Sequence, residues 1–352
     1  MNKVSYPLMG DYGIPTKYLL THILKCEIIT PPFITNKTIE LGSKYSPDTI
    51  CTPFKYTLGT MLESIEKGAN VLIELGGGCR YGYYGYLQKQ IIKELYPEVK
   101  VINLVTKGKI EIIKIYKELK KISKINVVKS IYYFFITLKM VKYMDLIDCY
   151  IRENAGFEQK KGSFALIKYK MLKDFSNVKS YRELLKLYKY YNKKVKNISV
   201  RKPEERLKVG IIGELYTVME PFANCDIEKF LLDHNIEIKR FTNAYYLLIQ
   251  KKRKIKKYLK YASEYIKYKM GADAADNISR TKYLCEKGYD GIIHIKSSFC
   301  TPEIGAMQVI SKIADQYNVP VLFLTFDTQK GSEGIISRLE AFCDMLEMRK
   351  MK

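Results

Sequence analysis

Twice along this chain, short apolar runs of strand length alternate with longer stretches of helical period, and few architectures accept that alternation. In the first half the runs fall at residues 3–9, 26–30 (CEIIT), 70–75 (NVLIEL) and 100–104 (KVINL), with helical patterns over 15–24, 54–67, 83–96 and 107–122. In the second half they fall at 207–212, 236–241 (IEIKRF), 291–296 (GIIHIK) and 320–326 (PVLFLTF), with helical patterns over 226–233, 247–269, 303–317 and 334–348. Strands that alternate with helices pair in parallel. The pattern predicts an α/β fold of two tandem, doubly wound, Rossmann-like domains with a cleft between them. Residues 1–202 form the first domain, including a helical, Lys- and Tyr-rich insert over about 127–200. "RKPEERLKVGIIGELY" reads as a linker and a fresh strand, with Pro203 marking the boundary, so 203–352 form the second domain.

Of the 352 residues, 47% are apolar, enough for real cores. The formal charge of +23 attracts polyanions in principle. The lysines, however, are spread along the chain among Ile, Tyr and Asn, as AT-rich coding produces, and no nucleic-acid partner is expected. The basic stretch "QKKRKIKKYLKYASEYIKYK" (250–269) carries Ile255, Leu259, Ala262 and Ile266 at helical spacing and reads as a solvated helix with one buried stripe. No apolar run approaches the ~18–20 residues of a membrane span. "MNKVSYPLMGDYGIP" lacks the features of a signal peptide. A cytoplasmic protein without a membrane partner is expected.

Eight cysteines (26, 51, 79, 149, 225, 285, 300 and 343) occur without any CxxC, so zinc ribbons, thioredoxin-like sites and ferredoxin-type loops are unsupported. His22, His234 and His294 are isolated and read as packed or surface residues. Three thiols stand apart by position. Cys79 and Cys300 each follow a predicted strand and precede a helix, and Cys51 lies two residues before Pro53, a favoured first-turn residue. At a helix N-terminus the macrodipole and unpaired N–H groups stabilise the thiolate, which is the metal-binding form. Carboxyl ends of strands are also where open α/β sheets bind ligands. A site using Cys51, Cys79 and Cys300 would lie between the domains. Three thiolates suit an iron–sulfur cube with one iron left open. Gly76, Gly77 and Gly78 would let backbone approach it. Chance placement of three core thiols is the alternative. Cys225 also precedes a helix and is a fourth candidate. Cys26, Cys149, Cys285 and Cys343 read as small core hydrophobes. The glycine run is neither a P-loop, since no Gly-Lys-Ser/Thr follows, nor a dinucleotide fingerprint, since Tyr81 stands where glycine is needed.

The blocks "PPFITNKTIELGSKYSPDTICTPFKYTLG", "GGGCRYGYYGYLQ", "GELYTVMEPFANCDIEKFL", "SSFCTPEIGA" and "FDTQKGSEGIISRLEAFCDML" together resemble the 2-hydroxyacyl-CoA dehydratase / benzoyl-CoA reductase subunit superfamily, in its activase-related branch. The resemblance implies two Rossmann-like domains holding a [4Fe–4S] or related cluster, with Cys51, Cys79 and Cys300 at the matching ligand positions. It implies an ATP-hydrolysing iron–sulfur activator as electron donor, a CoA thioester as substrate, and assembly as a homodimer or with a related subunit. Hydrolysis of ATP by a partner agrees with the missing P-loop. Catalytic residues do not carry over beyond the ligands. Arg80 and Lys55 could neutralise cluster charge or lie on the surface. Glu214 and Tyr216 follow a strand, where capping and packing are the plainer reading, and Asp327 and Arg338 could pair and cap the last helix. The leading expectation is a cluster protein performing reductive or radical chemistry. The alternatives are an electron-transfer or accessory protein without turnover, and a basic nucleic-acid-binding protein with incidental thiols.

Overall fold

Both halves of the chain build a four-stranded parallel sheet, as the alternation requires. The computed structural model describes residues 2–351 apart from 75, 77–80, 107–108, 111, 269 and 329–330. The chain divides into two compact units, Met1–Met140 and Val141–Lys352. Among the described residues no helix is long and apolar enough to cross a membrane.

The first unit runs β1 (Lys3–Ser5), α1 (Gly13–Ile23), β2 (Glu27–Ile28), α2 (Asn36–Lys44), α3 (Thr52–Glu66), β3 (Val71–Glu74), α4 (Tyr81–Leu95) and β4 (Lys100–Asn103). A short antiparallel pair, β5 (Val105–Thr106) and β6 (Lys109–Ile110), precedes α5 (Ile112–Lys120). The sheet order is β2-β1-β3-β4. The chain moves from β1 to one side, then crosses back to the other, so the order reverses between β1 and β3. Val4, Tyr6, Val71, Ile73 and Ile102 pack with Leu20 and Leu24 of the α1 region. α3 is buried over nearly its whole length. It lies so close to α2 that a Cβ on Gly42 would stand 1.8 Å from the Lys55 carbonyl oxygen, and one on Gly59 1.8 Å from that of Thr38. β1 and β2 are shorter than the apolar runs suggested.

The division between the units falls inside α6 (Val127–Asn154), earlier than the boundary expected after residue 202. Ion pairs, several of them made by the buried Arg152, Arg240 and Asp148, supply the reason. Glu228 takes Arg152 at 2.8 Å and Arg240 at 2.5 Å, and Asp148 takes Lys168 at 3.1 Å. Burial alone would raise the Glu228 carboxyl, but the two guanidiniums hold it below the usual range. Lys239 reaches Glu153 at 2.6 Å and Lys202 reaches Glu237 at 2.7 Å. The end of α6 is thereby fastened to the second sheet, and α7 (Ser163–Phe175) and α8 (Tyr181–Lys196) follow it.

The second unit continues with β7 (Lys208–Gly213), α9 (Leu215–Met219), α10 (Ile227–Asp233), β8 (Glu237–Arg240), a π-helical turn (Tyr246–Gln250), α11 (Lys251–Tyr261), α12 (Ala274–Glu286), β9 (Gly291–Ser297), α13 (Thr301–Gln316), β10 (Val321–Phe326) and α14 (Ser332–Lys350). The sheet order is β10-β9-β7-β8, again reversing at the first strand. Alternate side chains enter opposite cores. Val209, Ile211, Ile293, Ile295 and Leu324 pack with Leu231, Leu339 and Leu346 on one face. Ile212 and Ile292 pack with Ile278, Leu284, Ile310 and Ile313 on the other. Both faces are apolar, as expected of a parallel sheet covered twice. The expected helix at 247–269 breaks into the π turn, α11 and a non-helical stretch, and α12 was not foreseen.

Candidate functional site

Cys51 is the N-cap of α3 and Cys300 the N-cap of α13. The local sequence is the same at both, Cys-Thr-Pro, in 51–53 and 300–302. Proline in the first turn has its backbone preset for the helix and lacks an N–H that would be unpaired there anyway. Each cysteine carbonyl accepts the first bond of its helix, from Phe54 N–H at 3.0 Å and from Ile304 N–H at 3.0 Å. Both thiols are buried, at 7% and 8% exposure. In a βαβ unit the helix leading into a strand starts at the carboxyl edge of the sheet, so both thiols lie at carboxyl edges.

In the first unit the Cys51 sulfur is hydrogen-bonded to the Tyr84 hydroxyl, in the first turn of α4. Phe54 meets the same ring edge-on at 5.0 Å. The sulfur thus stands beside the start of the helix that follows residue 79 in the chain. Cys79 and Arg80 themselves lie outside the described residues. Lys55 is buried and its ammonium donates to the Asp48 carbonyl at 3.3 Å. At the end of β3, Glu74 is buried and its Oε2 has no hydrogen-bond partner among the described residues. Burial pushes its carboxyl up to about 8. It sits against Gly85, where a Cβ would be 2.5 Å from Oε2 and 2.6 Å from the Asn103 Oδ1.

In the second unit the row along one face of β9 changes from Ile292 to His294 to Lys296 as it nears the carboxyl edge. His294 is fully buried and its Nε2 meets Glu303 Oε2 at 2.8 Å. Asn277 Nδ2 donates to both Glu303 oxygens at 3.0 Å and to the Gly213 carbonyl at 3.0 Å. Arg280 Nη1 continues the chain to Asn277 Oδ1 at 3.2 Å and Thr242 Oγ1 at 2.7 Å, with its guanidinium over the Tyr246 ring at 4.8 Å. Tyr246 donates to Asp276 at 2.7 Å. Lys296 is 5% exposed, and burial lowers its ammonium although Cys300 and Glu303 lie in electrostatic range. Glu214 caps α9, accepting from the N–H groups of Tyr216 and Thr217 at 2.9 and 3.0 Å. Burial outweighs those bonds and raises its carboxyl to about 7.

The remaining thiols behave as core groups. Burial raises Cys26 and Cys149, and pushes Cys285 and Cys343 to about 11. Cys225 is not the N-cap of α10, which is Asp226: it ends the 3-10 turn Phe222–Asn224 with φ 58°, and its side chain packs against the core of the second sheet. Arg338 donates to the Phe323 carbonyl at 2.8 Å. Asn277, Arg280, Asp276 and Glu303 escaped the reading of the sequence. They are polar residues on buried helix faces, where hydropathy gives no signal. Among the described residues, no group of three or more His, Cys, Asp or Glu has metal-holding spacing. Cys51 and Cys300 individually suit a thiolate-bound group, being buried sulfurs at N-caps where the macrodipole favours negative charge.

A family model described as 2-hydroxyglutaryl-CoA dehydratase, D-component, matches residues 163–346. No curated protein matches the chain.

Proposed function

Because the chain belongs to the 2-hydroxyglutaryl-CoA dehydratase D-component family, we propose that it is an iron–sulfur protein acting reductively on a CoA thioester. Cys51, Cys79 and Cys300 are its ligands, and an ATP-hydrolysing iron–sulfur activator is its electron donor. The observation that carries the reading is the pair of Cys-Thr-Pro helix starts, each with a buried thiol at the carboxyl edge of its sheet. When bound, a [4Fe–4S] cluster supplies one-electron chemistry at low potential and an iron open to substrate.

The chain's own residues do the rest. The N-cap dipoles favour the thiolate form of Cys51 and Cys300. The Tyr84 hydroxyl holds the Cys51 sulfur in place. Lys296 places a buried positive charge within range of Cys300. Glu214, with its carboxyl near 7, exchanges a proton at Oε1 or Oε2 at neutral pH on the same edge.

The test is iron and sulfide content with an absorption spectrum after anaerobic purification. Cys51→Ser, Cys79→Ser and Cys300→Ser should each abolish the spectrum, and Cys26→Ser should preserve it. An iron-free preparation sinks the proposal, as does a spectrum that survives all three changes. Mixing the protein with activator, ATP and reductant then separates turnover from electron carriage, since only turnover makes ATP consumption depend on substrate.

A further inference from the structure

The most charged segment of the chain has no part in the roles assigned above. α11 exposes Lys252, Arg253, Lys254, Lys256, Lys257 and Lys260. Its apolar stripe is present, since Ile255 and Leu259 pack against the core around Ile278, Ile292 and Ile310. That stripe accounts for one face only. Lys251, at the helix start, is paired with Asp273 at 2.5 Å and Asp276 at 3.4 Å. Among the described residues none of the other six has an acidic partner. They recur three and four residues apart, so like charges repel along the helix and oppose its formation. A bound polyanion would relieve that repulsion.

The position of the helix narrows the choice of anion. α11 and α12 run side by side in the same direction. Lys251 meets Asp273 and Asp276 at the start of α12, and Lys282 near its end donates to the Tyr261 carbonyl at 3.1 Å. α12 leads into β9, so its start lies at the carboxyl edge of the second sheet, and α11 starts there too. Asp273 is close enough to Glu214 to act on its carboxyl. The basic face therefore begins at the edge that holds Glu214 and Cys300 and leads away from it. At the far end Glu264 and Glu286 close the patch, both paired to Lys282, at 2.8 and 3.8 Å. A helix of this length is only about 16 Å long. It suits a compact cluster of phosphates better than an extended nucleic-acid backbone.

We infer that α11 binds the phosphate end of a coenzyme A thioester, its diphosphate and 3′-phosphate, so that the pantetheine arm runs to the carboxyl edge of the second sheet. Lysine ammoniums act there as point charges, and Arg253 offers a two-pronged contact. The inference rests on the CoA-thioester reading above.

Calorimetric titration of the anaerobically purified protein with CoA, 3′-dephospho-CoA and pantetheine tests it. The variant is Lys252→Gln/Arg253→Gln/Lys256→Gln, and the charge-matched control is Lys189→Gln/Lys193→Gln/Lys194→Gln on α8. CoA should bind the α11 variant at least tenfold more weakly and the control normally. Wild type should bind CoA more tightly than 3′-dephospho-CoA and lose affinity as salt rises, while pantetheine should not distinguish the proteins. Equal CoA affinity in wild type and the α11 variant overturns the inference and leaves the thioester reading standing. No CoA binding by wild type removes the thioester reading itself. A variant that loses duplex DNA binding but keeps CoA affinity assigns the face to nucleic acid and also overturns the inference.

Discussion

Replacing Glu74 with glutamine should stabilise the first unit at alkaline pH and leave it nearly unchanged at mild acid pH. Glu74 is 3% exposed at the end of β3, paired in register with Asn103 of β4. Neither its Oε2 nor the Asn103 Oδ1 has a hydrogen-bond partner among the described residues. Burial lifts the carboxyl from the ordinary 4.5 to about 8. Below pH 4.5 both folded and unfolded chains carry the proton and nothing is lost. Between 4.5 and about 8 the unfolded chain ionises and the folded one does not. Each pH unit then costs the fold roughly 1.4 kcal/mol, up to a ceiling of about 5 kcal/mol above pH 8. Glutamine keeps the shape, never ionises, and brings an N–H group that can donate to Asn103 Oδ1. The variant should match wild type within about 1 kcal/mol at pH 5 and exceed it by roughly 2–5 kcal/mol at pH 9. Hydrogen exchange of the β3 and β4 amides reads this unit alone, and the gain should appear as exchange slowed by about 30-fold or more at pH 9. A difference that stays flat from pH 5 to 9, or a less stable variant at pH 9, would refute the reasoning.

Two further changes probe the packing that positions the site. Gly42→Ala pushes a Cβ to 1.8 Å from the Lys55 carbonyl and must move α2 off α3; it should cost about 3 kcal/mol in urea denaturation, the upper end for overpacking. Glu228→Ala leaves the Arg152 and Arg240 guanidiniums in a buried site without their shared partner and should cost about 3–5 kcal/mol. Since the Glu228 carboxyl lies below its usual range, its contribution is present at neutral pH and lost as pH falls through that lowered value, so wild type and variant should converge in acid denaturation curves.

The strands of the second sheet were legible to within a residue because both their faces are apolar. The runs at 207–212, 291–296 and 320–326 became Lys208–Gly213, Gly291–Ser297 and Val321–Phe326. α12 was illegible for the opposite reason. Asp276, Asn277, Ser279, Arg280 and Thr281 are all buried on it, so no polar face marks the helix. Asp276, Asn277 and Arg280 serve a polar network and not an apolar core, and hydropathy cannot separate that from a loop. The π turn at Tyr246–Gln250 is equally silent, since it is stabilised by where Tyr246 points, into Asp276 and over Arg280. Cys51 could be placed at a helix start because proline announces a first turn locally, and Cys300 because it falls between a strand-length apolar run and a helical pattern. Glu214 was legible as a cap. Glu74 was hidden, because a glutamate ending an apolar run looks like the place where a strand meets water, and here it is buried instead.

The distribution of the thiols follows from the way each unit is wound. In both, the chain leaves the first strand, visits one side and crosses back, so the carboxyl end of the third strand lies at the reversal of strand order. Cys79 follows β3 and Cys300 follows β9, each the third strand in its parallel sheet. Cys51 reaches the corresponding edge from the other direction, opening the helix that leads into β3. Cys149, Cys285 and Cys343 instead lie on packed helices, where burial opposes ionisation. Cys285 and Cys343, on α12 and α14, show that consequence in thiols held near 11. Helix starts at the carboxyl edge differ in physical kind: burial there comes with unpaired N–H groups and a positive dipole end, so a sulfur can be both shielded from water and ionised. A thiolate-held cofactor would need that combination, which makes the two Cys-Thr-Pro sequences a stronger guide to the proposed site than the number of cysteines.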